Sequence, residues 1–421
     1  MRVEGSQYGS AQHKLALIYP RPNPGEVGAP LAPADLPAEF TLVAACAAWP
    51  PCQRRDDAIR AAAAGVDWSK VVAIAQRHRI AGLVRHSLSS AGITPSPAEA
   101  ADLNARGQRI AMGELFLADE TARLYAAFQG IGIRTQVLKG VAAAMQAFGR
   151  LGLRFNHDID LLVAQPDIPK GVSVLEQAGY VRIEPAADAS DHDVEQWIRT
   201  RKDLVFRHAG HGSIVELHWR LFDNRYLLPD FASAEAETLT LPSGMSLQTL
   251  PRERALLYMC VHGAEHAWSR LKWLADVGAM LQAGGDGAAE RLYALAKTHR
   301  VHRAVAQAIL LCGRLFGANV PASVLADARR DGRIRILERV ALHSMTVGDG
   351  AELEALSFGS TQKNLSHYLL ASGWRYWASE VVFDVSDMSR TPVPAGMRVL
   401  GPAARPLLWA WRQVGPRPRT S

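Results

Sequence analysis

Several features that mark whole classes of protein are scarce or absent in this chain of 421 residues. It contains four cysteines, none in a C-x-x-C pair, so neither a zinc ribbon nor a disulfide scaffold is expected; they are Cys46, Cys52, Cys260 and Cys312. No apolar run reaches the roughly 18 residues that a membrane span requires, and the first residues lack a signal-peptide pattern. These absences predict a protein of the reducing cytoplasm with no membrane span.

Charge is not concentrated either. The chain has 47 lysines and arginines against 41 aspartates and glutamates, which gives a formal net charge of +6. It contains no compact Lys/Arg run and no recognisable RNA-binding signature, so nucleic acid is not an expected partner. A modest positive balance is compatible with a ligand rich in phosphate.

The residue pattern divides the chain into five segments. Residues 1–36 are rich in glycine and proline and predict a disordered leader. Residues 37–130 carry helical spacing, residues 131–235 read as an α/β core, and residues 250–345 return to helical spacing. Residues 346–421 mix aromatic and basic residues and predict a tail with short helices, partly disordered at its end. Together these segments predict an α+β fold, in which helical regions flank a small mixed sheet.

The strongest chemical signal lies in the predicted core. Asp158 and Asp160 begin the apolar run DIDLLV. Because alternate residues of a strand face the same side, both carboxylates can reach one site. Glu216 lies in a second β-rich run, SIVELHW. Three carboxylates from two strands suit Mg²⁺, which prefers oxygen ligands, and two such ions can stabilise both oxygens of an in-line displacement. The sequence therefore predicts that Asp158, Asp160 and Glu216 hold two Mg²⁺ ions.

A Lys139-Gly140 turn precedes this strand and follows the apolar run TQVL. Glycine lets backbone N–H groups approach a phosphate closely, and a helix starting at Val141 would offer its positive end to an anion. Lys139 would add a point charge. We therefore predict that Lys139 and Gly140 contact the triphosphate of a nucleoside triphosphate (NTP).

These motifs resemble the uncharacterised nucleotidyltransferase family of the DNA polymerase β-like superfamily. The family pattern is LKG, then an arginine shortly before D-x-D-L-L-V, then an acid followed by L-H-W. This chain has Lys139-Gly140, Arg154, the DIDLLV run and ELHW at 216–219. It departs from the wider superfamily in one respect, because Lys139-Gly140 stands in place of a Gly-Ser turn. The resemblance extends over residues 40–410 and implies a Mg²⁺-dependent enzyme that uses an NTP such as ATP, with Arg154 among its nucleotide contacts.

A second stretch of the chain resembles the same family. It reads HGAEHAWSRLKWLAD from His262 and fits the pattern H-x-x-x-H-x-W-x-R-L-K-W-L-x-D. The expected roles are nucleotide contact for His262 and Lys272, phosphate contact for Arg270 and base stacking for Trp268. The alternative is an amphipathic helix pair with a buried Trp273 and a solvated Lys/Arg face. Two other histidines are expected to be structural: His218 to pack in the sheet or else to orient Glu216, and His78 to lie on a solvated helix surface.

The function expected from these residues is transfer of a nucleoside monophosphate (NMP) from an NTP to a hydroxyl or similar acceptor on a small molecule, peptide or protein. Relatives of the family often lie beside genes for peptide natural products, which favours a peptide acceptor in natural product biosynthesis. One alternative is a zinc hydrolase that uses the H-x-x-E-H pattern of His262, Glu265 and His266. Another is a non-catalytic nucleotide-binding or antitoxin-like partner protein, although such a protein would not need all three acidic residues.

Overall fold

The structure is a computed structural model that describes residues 36–229, 235–347 and 361–381. The predicted leader lies outside the described residues except for Leu36, as does most of the predicted tail.

The N-terminal region is helical, as its spacing predicts. Helices α1 to α5 are Ala38–Ala47, Gln53–Ala62, Trp68–Arg77, Ala81–Ser90 and Pro97–Gly130. Local sequence explains several of their ends. The Asp67 carboxylate accepts hydrogen bonds from the backbone N–H groups of Ser69 and Lys70 and so caps α3. Pro97 opens α5. Its missing backbone N–H costs nothing there, because N–H groups in the first turn of a helix have no acceptor within the helix.

The predicted core alternates strands and helices, which confirms the predicted α+β class. Its strands β1 to β5 are Gln136–Val137, Asp158–Leu162, Tyr180–Glu184, Asp203–His208 and Ile214–His218. Its helices α6 to α8 are Val141–Phe148, Ile168–Gln177 and Asp191–Thr200. The first of these helices starts at Val141, as the glycine turn predicts.

One mixed sheet contains all seven strands of the described chain, in the order β3-β4-β5-β2-β1-β7-β6. Its last two strands, β6 (Glu237–Thr240) and β7 (Ser246–Thr249), lie beyond the predicted end of the core at residue 235. Strand β7 pairs in parallel with β1, through Val137 and Thr249. The sheet therefore extends past residue 235, which the pattern does not signal because these short, half-polar strands carry little periodicity of their own and are fixed by pairing.

The chain then returns to helices. Helices α9 to α15 are Arg252–Glu265, Leu271–Ala283, Ala288–Thr298, His302–Phe316, Ala322–Arg330, Gly332–Thr346 and Thr361–Leu370, and α16 covers residues 374–381. Within the described ranges, none of the helices is both long enough and apolar enough to cross a membrane. All four cysteines carry free thiols.

The described residues form two apolar cores. One joins side chains of the N-terminal helices, such as Phe40 and Leu83, with side chains of the later helices, such as Leu257 and Leu311. The two helical regions that the sequence separates by more than 100 residues therefore share a core. The second core packs the C-terminal half of α5 and helix α7 against the sheet, through residues such as Phe128.

Contacts between distant backbone segments fasten the two helical regions together. Arg77 at the end of α3 donates a hydrogen bond of 2.6 Å to the carbonyl of Ser344 in α14. The next residue, His78, accepts from the Leu271 N–H at Nδ1, so its Nε2 donates to the Met345 carbonyl at 3.1 Å. Burial and the neighbouring Arg77 lower the pKa of His78 to about 3. The expectation of a solvated His78 was wrong, since the ring is fully buried.

Candidate active site

Asp160 and Glu216 face each other across parallel strands β2 and β5, where they are register partners. Asp160 is fully buried, whereas Glu216 and Asp158 are partly exposed and line a cleft of about 420 Å³. The three predicted metal ligands therefore lie on two adjacent strands, as their spacing predicts, but at different depths. Asp158 and Glu216 face the cleft, and Asp160 lies beneath them.

The Lys139-Gly140 turn lies beside this carboxylate pair. The Nζ of Lys139 is 2.8 Å from Asp160 Oδ1 and 3.9 Å from Glu216 Oε2. Burial opposes the charge of Lys139, but the nearby Asp160 and Glu216 carboxylates hold its pKa well above its usual value. Gly140 has a φ of 58°, which favours glycine, and a Cβ there would lie 3.3 Å from the Asp158 carbonyl. The turn thus holds a charged ammonium group against the acidic site.

His218 contacts both carboxylates, so it does more than pack beside Trp219. Its Nε2 is 3.1 Å from Asp160 Oδ1 and 3.1 Å from Glu216 Oε2, and its ring is fully buried. Burial alone would lower the pKa of His218, but the hydrogen bonds to the two carboxylates outweigh it and raise the pKa. Of the two roles considered for His218, the geometry favours the orientation of Glu216 and extends it to Asp160.

Lys202 is a member of the site that sequence reasoning missed. Its Nζ lies 3.5 Å from Glu216 Oε2 and also forms an ion pair with Asp203. Burial opposes the charge of Lys202, and the carboxylates of Glu216 and Asp203 raise its pKa. For Glu216, burial acts to raise the pKa, but Lys139 and Lys202 hold it well below its usual value. No motif marks Lys202, because only the pairing of β4 with β5 brings it to Glu216.

A buried charged network supports the glycine turn. Arg154 forms an ion pair of 2.7 Å with Asp276 in α10 and donates a hydrogen bond of 3.0 Å to the Gly140 carbonyl. It also donates to Asn156, which in turn donates to Glu114 in α5 at 2.6 Å. Arg154 borders the cleft but is only 2 % exposed. The structure thus places Arg154 mainly as a buried support of Gly140.

Lys272 borders the same cleft, one turn before Asp276 on α10. Its Nζ donates to the Phe155 carbonyl at 3.3 Å. Burial, together with the charge of Arg154, lowers the pKa of Lys272 to about 7. A neighbouring cation, Arg79, lowers it further and also lines the cleft. Lys272 is therefore placed where a phosphate group could restore its charge.

Arg79 was not found by sequence reasoning. It has a φ of 61°, a left-handed backbone conformation that is strained for a side chain other than glycine. The Phe155 N–H donates to the Arg79 carbonyl at 2.9 Å, and the Arg79 guanidinium lies 5.7 Å from the centre of the Phe155 ring. Such strain often accompanies a functional site. The nearest sequence signal is the helix end two residues before it, which the structure places at Arg77.

The second family motif divides into cleft residues and buried residues. His262 borders the cleft, and burial lowers its pKa well below the usual value. Trp273 also borders the cleft and stacks on His266 at 5.0 Å between ring centres. Trp268 is fully buried against Gly263, so the expected base stacking by Trp268 was wrong. Arg270 donates to the Arg77 carbonyl at 2.6 Å.

The zinc alternative finds no support in this geometry. Helix α9 ends at Glu265, so His266 lies beyond the helix that would present both histidines. Among the described residues, the one group of three ligands close enough to share a metal ion is Asp160, Glu216 and His218. That group belongs to the acidic site.

Comparison with known families agrees with these motifs. The model of the uncharacterised nucleotidyltransferase family matches residues 64–317, which is more than half of the chain. The chain belongs to this family. Membership supports a general nucleotidyl transfer function and so implies an NTP substrate. No match was found among curated proteins.

Proposed function

We propose that this protein is a Mg²⁺-dependent nucleotidyltransferase that moves an NMP group from an NTP to a hydroxyl or similar acceptor on a small molecule, peptide or protein. The observation that carries the proposal is the register pairing of Asp160 with Glu216, with Asp158 lining the same cleft and the Lys139-Gly140 turn beside them. Four free thiols support a reducing compartment such as the cytoplasm.

The residues present fit a divalent cation. Asp160 Oδ2 is buried and accepts no hydrogen bond from the described residues, which is costly for a carboxylate unless a cation satisfies it. Asp160 and Glu216 lie close enough together to share the metal, and Asp158 would join them from the cleft. All three offer carboxylate oxygens, the ligands that Mg²⁺ prefers. When bound, Mg²⁺ would neutralise negative charge on the phosphates of the NTP.

The cations of the cleft support a position for the triphosphate. Backbone N–H groups after Gly140 begin helix α6, and the positive end of a helix attracts phosphate. Lys272 and Arg79 line the cleft close enough to each other for Arg79 to lower the pKa of Lys272. Two neighbouring cations repel each other, and a bound polyphosphate would relieve that repulsion. We therefore assign phosphate contacts to Gly140, Lys272 and Arg79, and a supporting role to Arg154.

His262 and Trp273 support a position for the nucleobase. The rings of Trp273 and His266 are stacked, and the His262 ring meets Trp273 edge-on at 5.5 Å. All three border the cleft. A half-buried indole beside a neutral imidazole offers the flat, apolar surface on which a base stacks.

The reaction consistent with this arrangement is a displacement at the α-phosphorus. The acceptor oxygen forms a bond to that phosphorus, the bond to the β-phosphate oxygen breaks, and pyrophosphate leaves. The acceptor hydroxyl loses its proton to solvent, because Lys139 and Lys202 hold the pKa of Glu216 low and make it a weak base. The chain therefore contributes mainly by positioning and by charge complementarity.

Calorimetry with each of the four NTPs in Mg²⁺, followed by transfer from α-labelled NTP to candidate acceptors, tests this proposal. We expect binding that requires Mg²⁺ and is lost in Asp158→Asn but kept in Asp188→Asn, an exposed control. Failure of folded wild-type protein to bind any NTP would contradict it. Binding without transfer to any small-molecule, peptide or protein acceptor would favour the non-catalytic alternative.

A further inference from the structure

The Lys139 ammonium group lies between the two carboxylates that a bridging metal ion would need. Its Nζ is 2.8 Å from Asp160 Oδ1 and 3.9 Å from Glu216 Oε2. These are the facing oxygens of the paired strands β2 and β5. In a site with two metal ions, one ion would be expected to join them.

Other donors already occupy the same two oxygens. His218 Nε2 is 3.1 Å from each of them, and Lys202 Nζ is 3.5 Å from Glu216 Oε2. Asp160 Oδ1 thus has two nitrogen neighbours and Glu216 Oε2 has three. By contrast, Asp160 Oδ2 is buried and accepts no hydrogen bond from the described residues. The carboxylate oxygens that face Lys139 therefore already have nitrogen donors, whereas Asp160 Oδ2 has no donor among the described residues.

Lys139 is held in this position by the buried scaffold. It immediately precedes Gly140, whose carbonyl accepts a hydrogen bond of 3.0 Å from Arg154. Arg154 is itself fixed by its ion pair with Asp276. The side chain of Lys139 is only 14 % exposed, so its charge is a built-in part of the site.

Charge points the same way, because the ammonium groups of Lys139 and Lys202 already lie 3.9 Å and 3.5 Å from Glu216 Oε2. A second divalent cation would have to enter beside an ammonium group, where repulsion opposes it.

We propose that Lys139 replaces one of the two metal ions, so that the site binds a single divalent cation, with the unsatisfied Asp160 Oδ2 among its ligands. This inference rests on the proposed function, and it alters the expectation of two Mg²⁺ ions. Lys139 then neutralises the facing oxygens of Asp160 and Glu216 permanently, whether or not an NTP is bound.

The number of Mn²⁺ ions bound per chain tests this inference. Mn²⁺ binds the same oxygen ligands as Mg²⁺, and paramagnetic resonance of the free ion gives the bound count. We would measure it with and without an NTP analogue that cannot be cleaved at the α-phosphorus. The variants are Lys139→Met and the control Lys170→Met, whose side chain is 67 % exposed. We expect one ion per chain for wild type and Lys170→Met, and two for Lys139→Met.

Two ions in wild-type protein, or a single ion in folded Lys139→Met, would overturn the inference. Removing Lys139 leaves Asp160 without its cation, which can prevent folding. In that case Lys139→Gln is the second variant. If neither variant folds, the number of Mn²⁺ ions bound by wild-type protein decides.

The outcomes also separate this inference from the proposed function. Two bound ions together with NMP transfer would contradict this inference and leave the proposed function unaffected. A single ion without transfer would support the inference and count against the proposed function, whereas no bound ion would remove both.

Discussion

Lys139 Nζ lies 2.8 Å from Asp160 Oδ1, although the two residues come from different elements and are separated by a helix. The contact makes Lys139 part of the acidic site, whereas its sequence position beside Gly140 predicts a phosphate contact. The contact also stabilises the folded protein. Removing either partner would leave the other as an unpaired charge in a buried environment of low dielectric.

Asp158 and Asp160 should respond differently to the same substitution. Asp158 is partly exposed, so Asp158→Asn should change the free energy of unfolding by no more than about 0.5 kcal/mol. Asp160 is fully buried against Lys139 and His218, so Asp160→Asn should cost about 3 to 5 kcal/mol. Urea unfolding would measure both, beside Asp188→Asn. Equal stabilities of the two variants would contradict the assigned depths of the carboxylates.

Arg79→Gly should lower NTP affinity without lowering the stability of the fold. Glycine tolerates the φ of 61° at this position, so the variant should be as stable as wild type or more stable. If Arg79 contacts phosphate, NTP affinity should fall by about 10-fold. Arg300→Gly is a matched control, since Arg300 is exposed and has a φ of 59°. Calorimetry and thermal melts would measure the two effects, and unchanged NTP affinity in Arg79→Gly would contradict its role.

The pKa of Lys272, about 7, predicts a pH dependence of NTP binding. Below that pH Lys272 carries its charge and attracts phosphate, and above it the charge is progressively lost. Wild-type affinity should therefore fall several-fold relative to Lys272→Arg between pH 6.5 and 8.5, because an arginine remains charged throughout. Titration of the NTP itself changes both affinities equally, so its effect cancels in their ratio. A constant ratio over this range would show that Lys272 does not contact the phosphates.

The same lowered pKa predicts a pH dependence of stability. In the unfolded chain Lys272 is protonated up to about pH 10.4, whereas in the folded protein it loses its proton near pH 7. Because the unfolded state binds more protons between these values, the free energy of unfolding should rise with pH across that window. The gain in melting temperature of Lys272→Met over wild type should accordingly be larger at pH 7.5 than at pH 9.5. A gain that does not change with pH would be evidence against a buried, depressed lysine.

Gly263→Ala should destabilise the protein through packing alone. A Cβ on Gly263 would lie within 2.6 Å of atoms of the buried Trp268 ring, and such overpacking costs about 1 to 3 kcal/mol. Gly113→Ala, also within a helix, has open space around its Cβ and should stabilise by up to about 1 kcal/mol. Denaturant unfolding would measure both. A neutral Gly263→Ala would mean that Trp268 can move, which would reopen its assignment as a base contact.

Periodicity and spacing were sufficient for much of the fold. Alternation predicted β2 and β5, and the glycine turn predicted the start of α6 at Val141. Strands β6 and β7 were missed because they depend on pairing with β1 and with each other. His78 was misplaced for a related reason: its neighbours, Met345 and Leu271, are almost 200 residues or more away in the chain.

The sequence by itself determined which chemistry is available: Asp158, Asp160 and Glu216 at strand spacing, with Lys139-Gly140 at a turn before them. Only the tertiary structure decided how these groups combine. Strand register brought Asp160 to Glu216, and pairing of β4 with β5 added Lys202. Burial changed the expected roles of Arg154 and Trp268. The physical reason is that spacing along a chain fixes the direction of a side chain, whereas charge pairing and burial depend on segments that meet only after folding.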